Sequence, residues 1–430
     1  NSPTTWTNDS TSFAQYQGFD DNSYNSPYGI YNDGTYMYVV DSQNGRVKKI
    51  DTSTGSLVGW IGGITTSPTG GDVGCAGTNP MAPSPGWCKG SYPNPTYMWN
   101  SIINQQTNGI MNNPIGITGD GTYLYITDWG LSRILKFNAS TGVFVGWIGN
   151  VQTTPTGNAP GSSGCTSAGG NTFTPGWCTG GYSQASTLAN GSLYNPSGIV
   201  YVAGSLYVVD TSAHRINSYS ATTGAYLGWI GRQATAPTVC TIFPNGSGYN
   251  VSGGGWCIGG SSTNSATSDR GGGFYFSGPN GITSDGSYLY VANYNNGRID
   301  KINFSGAWVA AVRARPDIYT DVWSSNPAVV STWYAGCGLP TSVWTDGTNI
   351  YGTAVNYCSA PSGTPIWKMN LSTGTMIGWQ GGINPGSSPS AGQTGCAGAT
   401  INTPGWCQGG LPIAGYYMGQ TIQANFVSGD

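Results

Sequence analysis

The stretch NPIGITGDGTYLYITDWGLSRILKFNASTGVFVGWIG, Asn113 to Gly149, decides the fold of this 430-residue chain. An apolar run opens on Pro114 and stops at Asp120-Gly121. Asp-Gly between two apolar stretches is the strongest short signal for a hairpin. The next run, TYLYITD, is rich in tyrosine and β-branched residues, which suit a pleated sheet. Arg133 opens a third run, and Ser140-Thr141-Gly142 turns it into a fourth, VFVGWIG. The unit reads as four short antiparallel strands.

The same order recurs as SPYGI from Ser26, NPSGI from Asn195, GPNGI from Gly278 and, more weakly, LPTSV from Leu339. Pro27, Pro114, Pro196, Pro279 and Pro340 mark the phase at spacings of 87, 82, 83 and 61 residues. Asp33-Gly34, Asp285-Gly286 and Asp346-Gly347 fall in register as hairpin turns, and Arg46, Arg215 and Arg298 begin third strands. Fourth strands read SLVGWIGG, AYLGWIGR and TMIGWQGG, with AWVAAVRA in the fourth unit. A unit this small does not bury a core alone. Stacked four-stranded units are the signature of a β-propeller. The expectation is one all-β domain over residues 1–430, a β-propeller of five four-stranded blades starting near 26, 113, 195, 278 and 339. Thr4–Asp9 and Gln420–Val427 are candidate strands for a sixth blade, since ring closure removes exposed edges.

The motif PxGI…DGxxYVxD…RIxKxN…G resembles that of NHL-repeat β-propellers. The resemblance covers the core strands and implies six blades in extracellular, enzymatic or interaction contexts. It also implies that an enzymatic member, a lyase or hydrolase, would use metal, His and acidic residues about a central channel. This chain has one His and no Glu.

Long inserts follow the fourth strands, at about 64–111, 151–194, 233–276 and 383–415, and are rich in Gly, Ser, Thr and Pro. They carry SPGWCKGS, TPGWCTGG, GGGWCIGG and TPGWCQGG. The ten cysteines fall in near pairs: Cys75 with Cys88, Cys165 with Cys178, Cys240 with Cys257, Cys337 with Cys358, and Cys396 with Cys407. Even numbers in local pairs read as disulfides and an oxidising compartment. Zinc would want CxxC spacing or accompanying His. An activated thiol would want a base, and one His cannot serve four sites. Trp87, Trp177, Trp256 and Trp406 are expected to pack beneath the loops that these cysteines tie.

Asp41 and Arg46, Asp128 and Arg133, and Asp210 and Arg215 recur at constant spacing, with Asn293 and Arg298 as a variant. A pair repeated in every blade reads as a structural bridge. His214 could move protons near neutrality, yet it lies where NHL-type repeats often carry His before Arg, so the resemblance implies a structural turn residue. Seven sequons occur at Asn8, Asn138, Asn190, Asn245, Asn250, Asn303 and Asn370. Three of them, Asn138, Asn303 and Asn370, share one repeat position with Asp51 and Ser220, where turn chemistry is the competing explanation.

Charged residues make up 7% of the chain and the net charge is −3. Without clustered Lys and Arg, nucleic-acid binding is discounted, and no apolar run is long enough to span a membrane. The chain begins at Asn1, which reads as a mature chain freed of its leader. So few titratable groups lead to the expectation that stability varies little with pH. No catalytic residue, metal site or cofactor is expected, although a calcium held by backbone carbonyls and Asp stays open. The function expected is that of a non-enzymatic extracellular protein: a glycosylated surface or filament subunit that self-associates through its loops or terminal strands. The alternatives are a lectin-like propeller that stacks sugars on loop tryptophans and, more remotely, a propeller lyase or hydrolase.

Overall fold

The computed structural model describes residues 18, 20–79, 82–90, 108–184, 191–231, 233–235, 237–238, 242–245, 249–252, 255–262, 276–313, 321–325, 339–355, 365–381, 383, 388–399 and 405–408. Within them the chain is an all-β propeller of five four-stranded blades, with short 3-10 turns and no α-helix. Blade 1 comprises Pro27–Asn32, Tyr36–Asp41, Arg46–Asp51 and Leu57–Gly62, paired in that order. Blade 2 comprises Pro114–Gly119, Tyr123–Asp128, Arg133–Asn138 and Phe144–Gly149. Blade 3 is Pro196–Val202, Ser205–Asp210, Arg215–Ser220 and Tyr226–Gly231. Blade 4 is Pro279–Ser284, Tyr288–Asn293, Arg298–Asn303 and Trp308–Arg313. Blade 5 is Leu339–Thr345, Asn349–Val355, Ile366–Asn370 and Met376–Gln380. The candidate sixth-blade strands, Thr4–Asp9 and Gln420–Val427, lie outside the described residues.

The strands divide between two compact units. Blades 1 to 3 belong to the first up to Trp229; blades 4 and 5 belong to the second from Ile230, which also takes in His214–Ile216. Alternation along the strands explains the cores. In blade 2, Leu124 and Ile126 face Leu135 and Phe137, all fully or almost fully buried. Tyr125, Ile134 and Ile148 turn the other way and meet Leu206, Val208 and Tyr219 of blade 3. In the second unit, Tyr290, Ala292 and Ile299 of blade 4 join Ile350, Trp367 and Trp379 of blade 5.

The glycine of the PxG motif is required by this stacking. A Cβ on Gly29 would lie 2.5 Å from the Ile115 carbonyl, and one on Gly116 would lie 2.2 Å from that of Ser197. Neighbouring first strands therefore touch through backbone, which only glycine permits at that distance.

Each PGWC insert extends its blade. Cys88–Lys89 pairs with the fourth strand of blade 1, and Gly70–Gly71 pairs outside it. Cys178 and Cys407 repeat this against Trp147 and Trp379. The inserts so cover strand edges that would otherwise be open to pairing with another chain.

Candidate functional site

The turn between the second and third strands gathers the repeated charges. Asp41 Oδ2 accepts from Arg46 Nε at 2.7 Å, and Asp128 Oδ2 accepts from Arg133 Nε at 3.1 Å, both pairs fully buried. The carboxylates have a second task. The backbone N–H groups of Asn25, Asn112 and Tyr194 donate to Asp41, Asp128 and Asp210 at 2.6 to 3.0 Å, which fixes the chain entering each blade. Asn293 accepts from the Ser277 N–H in the same way. An amide oxygen suffices for that bond but leaves Arg298 without a charge partner. Asp300 supplies it at 2.9 Å, from two residues along the third strand. The sequence pattern pairs Arg298 with Asn293 and misses Asp300. A blade with Asn at the end of its second strand and Asp at the third position of its third strand was the available signal.

Burial pushes the Asp128 carboxyl up to about 6 despite Arg133, and it raises Asp300 as well. In blade 1, Lys48 stands where blade 4 has Asp300. Its ammonium donates to the carbonyls of Asp20, Asp21 and Ser23 and lies 4.1 Å from the Tyr24 ring centroid. Burial, with the Arg46 guanidinium beside it, brings Lys48 down to about 7.

His214 occupies the turn position held by Gly45, Ser132 and Gly297, and like them is left-handed, at φ 53. Its Nδ1 accepts from the Gly278 N–H at 3.0 Å. Burial lowers its pKa. Among the described residues, no three His, Cys, Asp or Glu side chains gather into a group able to hold a metal.

A second recurring cluster was not legible in the sequence. In blade 1, Lys49 lies 4.1 Å from Tyr36, 5.7 Å from Tyr38 and 5.2 Å from Trp87, measured to ring centroids. Lys136 has the same cage in Tyr123, Tyr125 and Trp177, and Lys301 in Tyr288, Tyr290 and Trp323. A cation over several ring faces is held by their quadrupoles. The tyrosines of the first three cages are tied in turn: Tyr38, Tyr125 and Tyr290 donate to Asp33, Asp120 and Asp285 of the hairpin turns at 2.7 to 2.9 Å.

The cage opens onto the next blade. Trp87 Nε1 donates to the Ala139 carbonyl, Trp177 to Ala221, Trp256 to Phe304 and Trp323 to Leu371, at 2.9 to 3.2 Å. Lys49 and Lys136 donate to the same carbonyls, Ala139 and Ala221. Each acceptor begins the turn between strands 3 and 4 of the following blade. Trp177 is fully buried and Trp87 nearly so. The expectation that these rings pack beneath their own loops is therefore half the account, since their polar edge holds the neighbouring blade. Trp87 and Trp177 are too buried to offer a face for stacking sugars, whereas Trp256 and Trp406 are half-buried.

Three disulfides close within inserts: Cys75–Cys88, Cys165–Cys178 and Cys396–Cys407. Cys257 is disulfide-bonded too, while Cys240, Cys337 and Cys358 lie outside the described residues. Among the described residues no helix is long and apolar enough to cross a membrane.

Asn138, Asn303 and Asn370 begin the acceptor turns. Their Oδ1 atoms accept from the Thr141 N–H, from Ala307 N–H and the Ser305 hydroxyl, and from the Ser372 and Thr373 N–H groups. Asp51 does the same work in blade 1. Turn chemistry accounts for the residue choice, and it leaves the Nδ2 of each asparagine without a hydrogen bond among the described residues. Asn245 and Asn250 lie in a two-stranded hairpin, Ile242–Asn245 with Tyr249–Ser252. Asn8 and Asn190 lie outside the described residues.

No known family matches this chain, and no curated protein does. Solved structures similar to it include a streptogramin B lyase, at 11% identity and a TM-score of 0.35 over 80% of this chain and 66% of that one. Virginiamycin B lyase from Staphylococcus aureus matches at 13% and 0.35 over 82% and 84%. A nidogen/laminin complex matches at 13% and 0.36 over 82% and 79%. The chain spans about two thirds of the length of the first. Likenesses of this size carry no argument about activity.

Proposed function

We propose that this chain is a non-catalytic structural protein of an oxidising, extracellular setting, a glycosylated subunit that self-associates in a surface or filament. One observation carries the reading. The side chains best suited to chemistry or ligand binding (the buried Asp–Arg pairs, the caged lysines and the insert tryptophans Trp87, Trp177 and Trp256) are taken up in holding segment to segment and blade to blade. Closed disulfides fit an oxidising compartment. The sequon asparagines at the blade corners combine an anchored Oδ1 with an unengaged Nδ2, the atom to which an N-glycan is joined.

Electron microscopy and light scattering of the native material test this directly. Extended or sheet-like assemblies that grow with concentration are expected, with glycan mass on peptides containing Asn138, Asn303 and Asn370. A monomer at every concentration, bearing no glycan, would sink the reading.

A further inference from the structure

Trp87, Trp177 and Trp323 each latch onto the following blade through Nε1. Chemical loss of the indole would free that junction. Each latch stands against a buried phenol. Ring centroids are 5.8 Å apart for Trp87 and Tyr38, and 5.7 Å apart for Trp177 and Tyr125 and for Trp323 and Tyr290. That spacing puts the rings in contact, close enough for an electron to pass between them.

Each phenol also has a place for its proton. Tyr38, Tyr125 and Tyr290 donate to Oδ2 of Asp33, Asp120 and Asp285 at 2.7 to 2.9 Å. The Ala221 carbonyl lies farther from the Tyr125 oxygen, at 3.3 Å. Oδ1 of each carboxylate accepts from two N–H groups of its own turn, which fixes the group in place. A base held within hydrogen-bond reach is positioned to take a proton. Burial, with the carboxylate beside it, keeps each phenol well above its ordinary range, so the proton does not leave ahead of the electron. The indole is placed differently. Its Nε1 faces a backbone carbonyl, which accepts a hydrogen bond but takes no proton. An oxidised Trp177 therefore keeps a positive charge, with the Lys136 ammonium 5.3 Å from the ring. Moving the charge to Tyr125 and its proton to Asp120 cancels indole cation against carboxylate and leaves the ammonium alone. A buried site favours the state with fewer charges.

We propose that these sets are redox relays that return an oxidised latch tryptophan to its intact form. A one-electron oxidant removes an electron from the indole. The neighbouring phenol replaces that electron, and its proton passes to the Asp Oδ2. Tryptophan is restored and a neutral tyrosyl radical remains. In blade 2 the path continues to Tyr201, half-buried and stacked on Tyr125 at 6.3 Å. Tyr201 can give Tyr125 an electron while Asp120 returns the proton, its own proton going to water. The oxidising equivalent so leaves the blade junction. This inference goes beyond the subunit reading and does not depend on it.

The test uses the full-length chain and an ultraviolet laser flash, which photoionises tryptophan whether or not it is buried. A scavenger takes the ejected electron, and transient absorption follows tryptophan and tyrosyl radicals separately. In the unaltered chain the first should decay into the second at a rate independent of protein concentration. The decay should be slower in heavy water, because a proton moves. Tyr38→Phe, Tyr125→Phe and Tyr290→Phe combined should lose most of the tyrosyl signal. Asp33→Asn, Asp120→Asn and Asp285→Asn combined keep an oxygen for each phenol but no base. They should slow the transfer about a hundredfold, the lower end of what a positioned base supplies. Near-ultraviolet circular dichroism and melting curves confirm that the variants fold. A tryptophan radical that persists in the unaltered chain would overturn the relay. So would transfer that is equally fast in heavy water, or undiminished in either folded set of variants. Each of these results would leave the subunit reading standing.

Discussion

Trp177 has no exposed surface and one polar atom, and that atom bonds a carbonyl 44 residues away in the next blade. Two contributions can be separated. Trp177→Phe keeps most of the apolar ring and leaves the Ala221 carbonyl to Lys136 and Tyr125, so the loss is about 1 kcal/mol. Trp177→Ala also empties the cage and should cost about 3–5 kcal/mol. Denaturant melts of the two variants check the difference; equal losses would mean that the indole N–H is what matters. The PGWC repeats were visible in the sequence, and they marked Trp177 as special. Its partner was not visible, because a backbone carbonyl has no side-chain signature. Lys136 was hidden for a related reason: its cage draws rings from one strand and a distant insert, so no local window contains it.

At the scale of elements, the strand VGWIG and the loop PGWC prove to be one construction. A Cβ on Gly146 would lie 3.1 Å from Trp177 Cβ, and one on Gly59 would lie 2.8 Å from Trp87 Cβ. The glycine before the strand tryptophan is the seat for the loop tryptophan. Blade 4 confirms the dependence: it has Ala310 in place of the glycine, and its latch comes from Trp323 in a segment without PGWC. The link could have been read from the sequence, since the two motifs occur and fail together. Gly146→Ala should therefore cost about 1–3 kcal/mol through overpacking. Gly121→Ala is the control, as nothing lies near its Cβ and only the left-handed φ of 84 opposes it. The staple is a separate contribution. Replacing Cys165 and Cys178 by serine opens a loop with a sequence separation of 13 and should cost about 3 kcal/mol on the chain-entropy model. A loss far below 1 kcal/mol in thermal melts would show that the Trp177 seat alone orders the insert.

For the whole molecule, blade order and boundaries followed from the proline phase and the Asp-Gly turns, because each blade is specified locally and repeated. What the sequence could not supply is how burial treats the few charges present. Their scarcity led to the expectation of a flat pH profile, but several of those groups are buried and shifted. Asp128, raised to about 6, favours its protonated form in the folded state. Its contribution is full below the unfolded carboxylate range and is lost as pH rises through about 6. Lys48 and Lys136, lowered to about 7 and about 8, favour their neutral forms. Their contribution is full above the usual lysine range near 10.5 and is lost as pH falls through about 8 and then about 7. The two limbs slope in opposite directions and meet near neutrality, so stability should pass through a shallow minimum at about pH 6 to 7. Melting temperatures at about pH 4.5, 6.5 and 9.5 measure it, and the middle value should be the lowest. In Lys48→Met the alkaline limb should flatten, because that group no longer titrates, while the acid limb persists. A maximum near neutrality in the unaltered chain would mean that the Asp128–Arg133 pair is ionised at little cost, and that coulombic attraction rather than burial governs the charges between the strands.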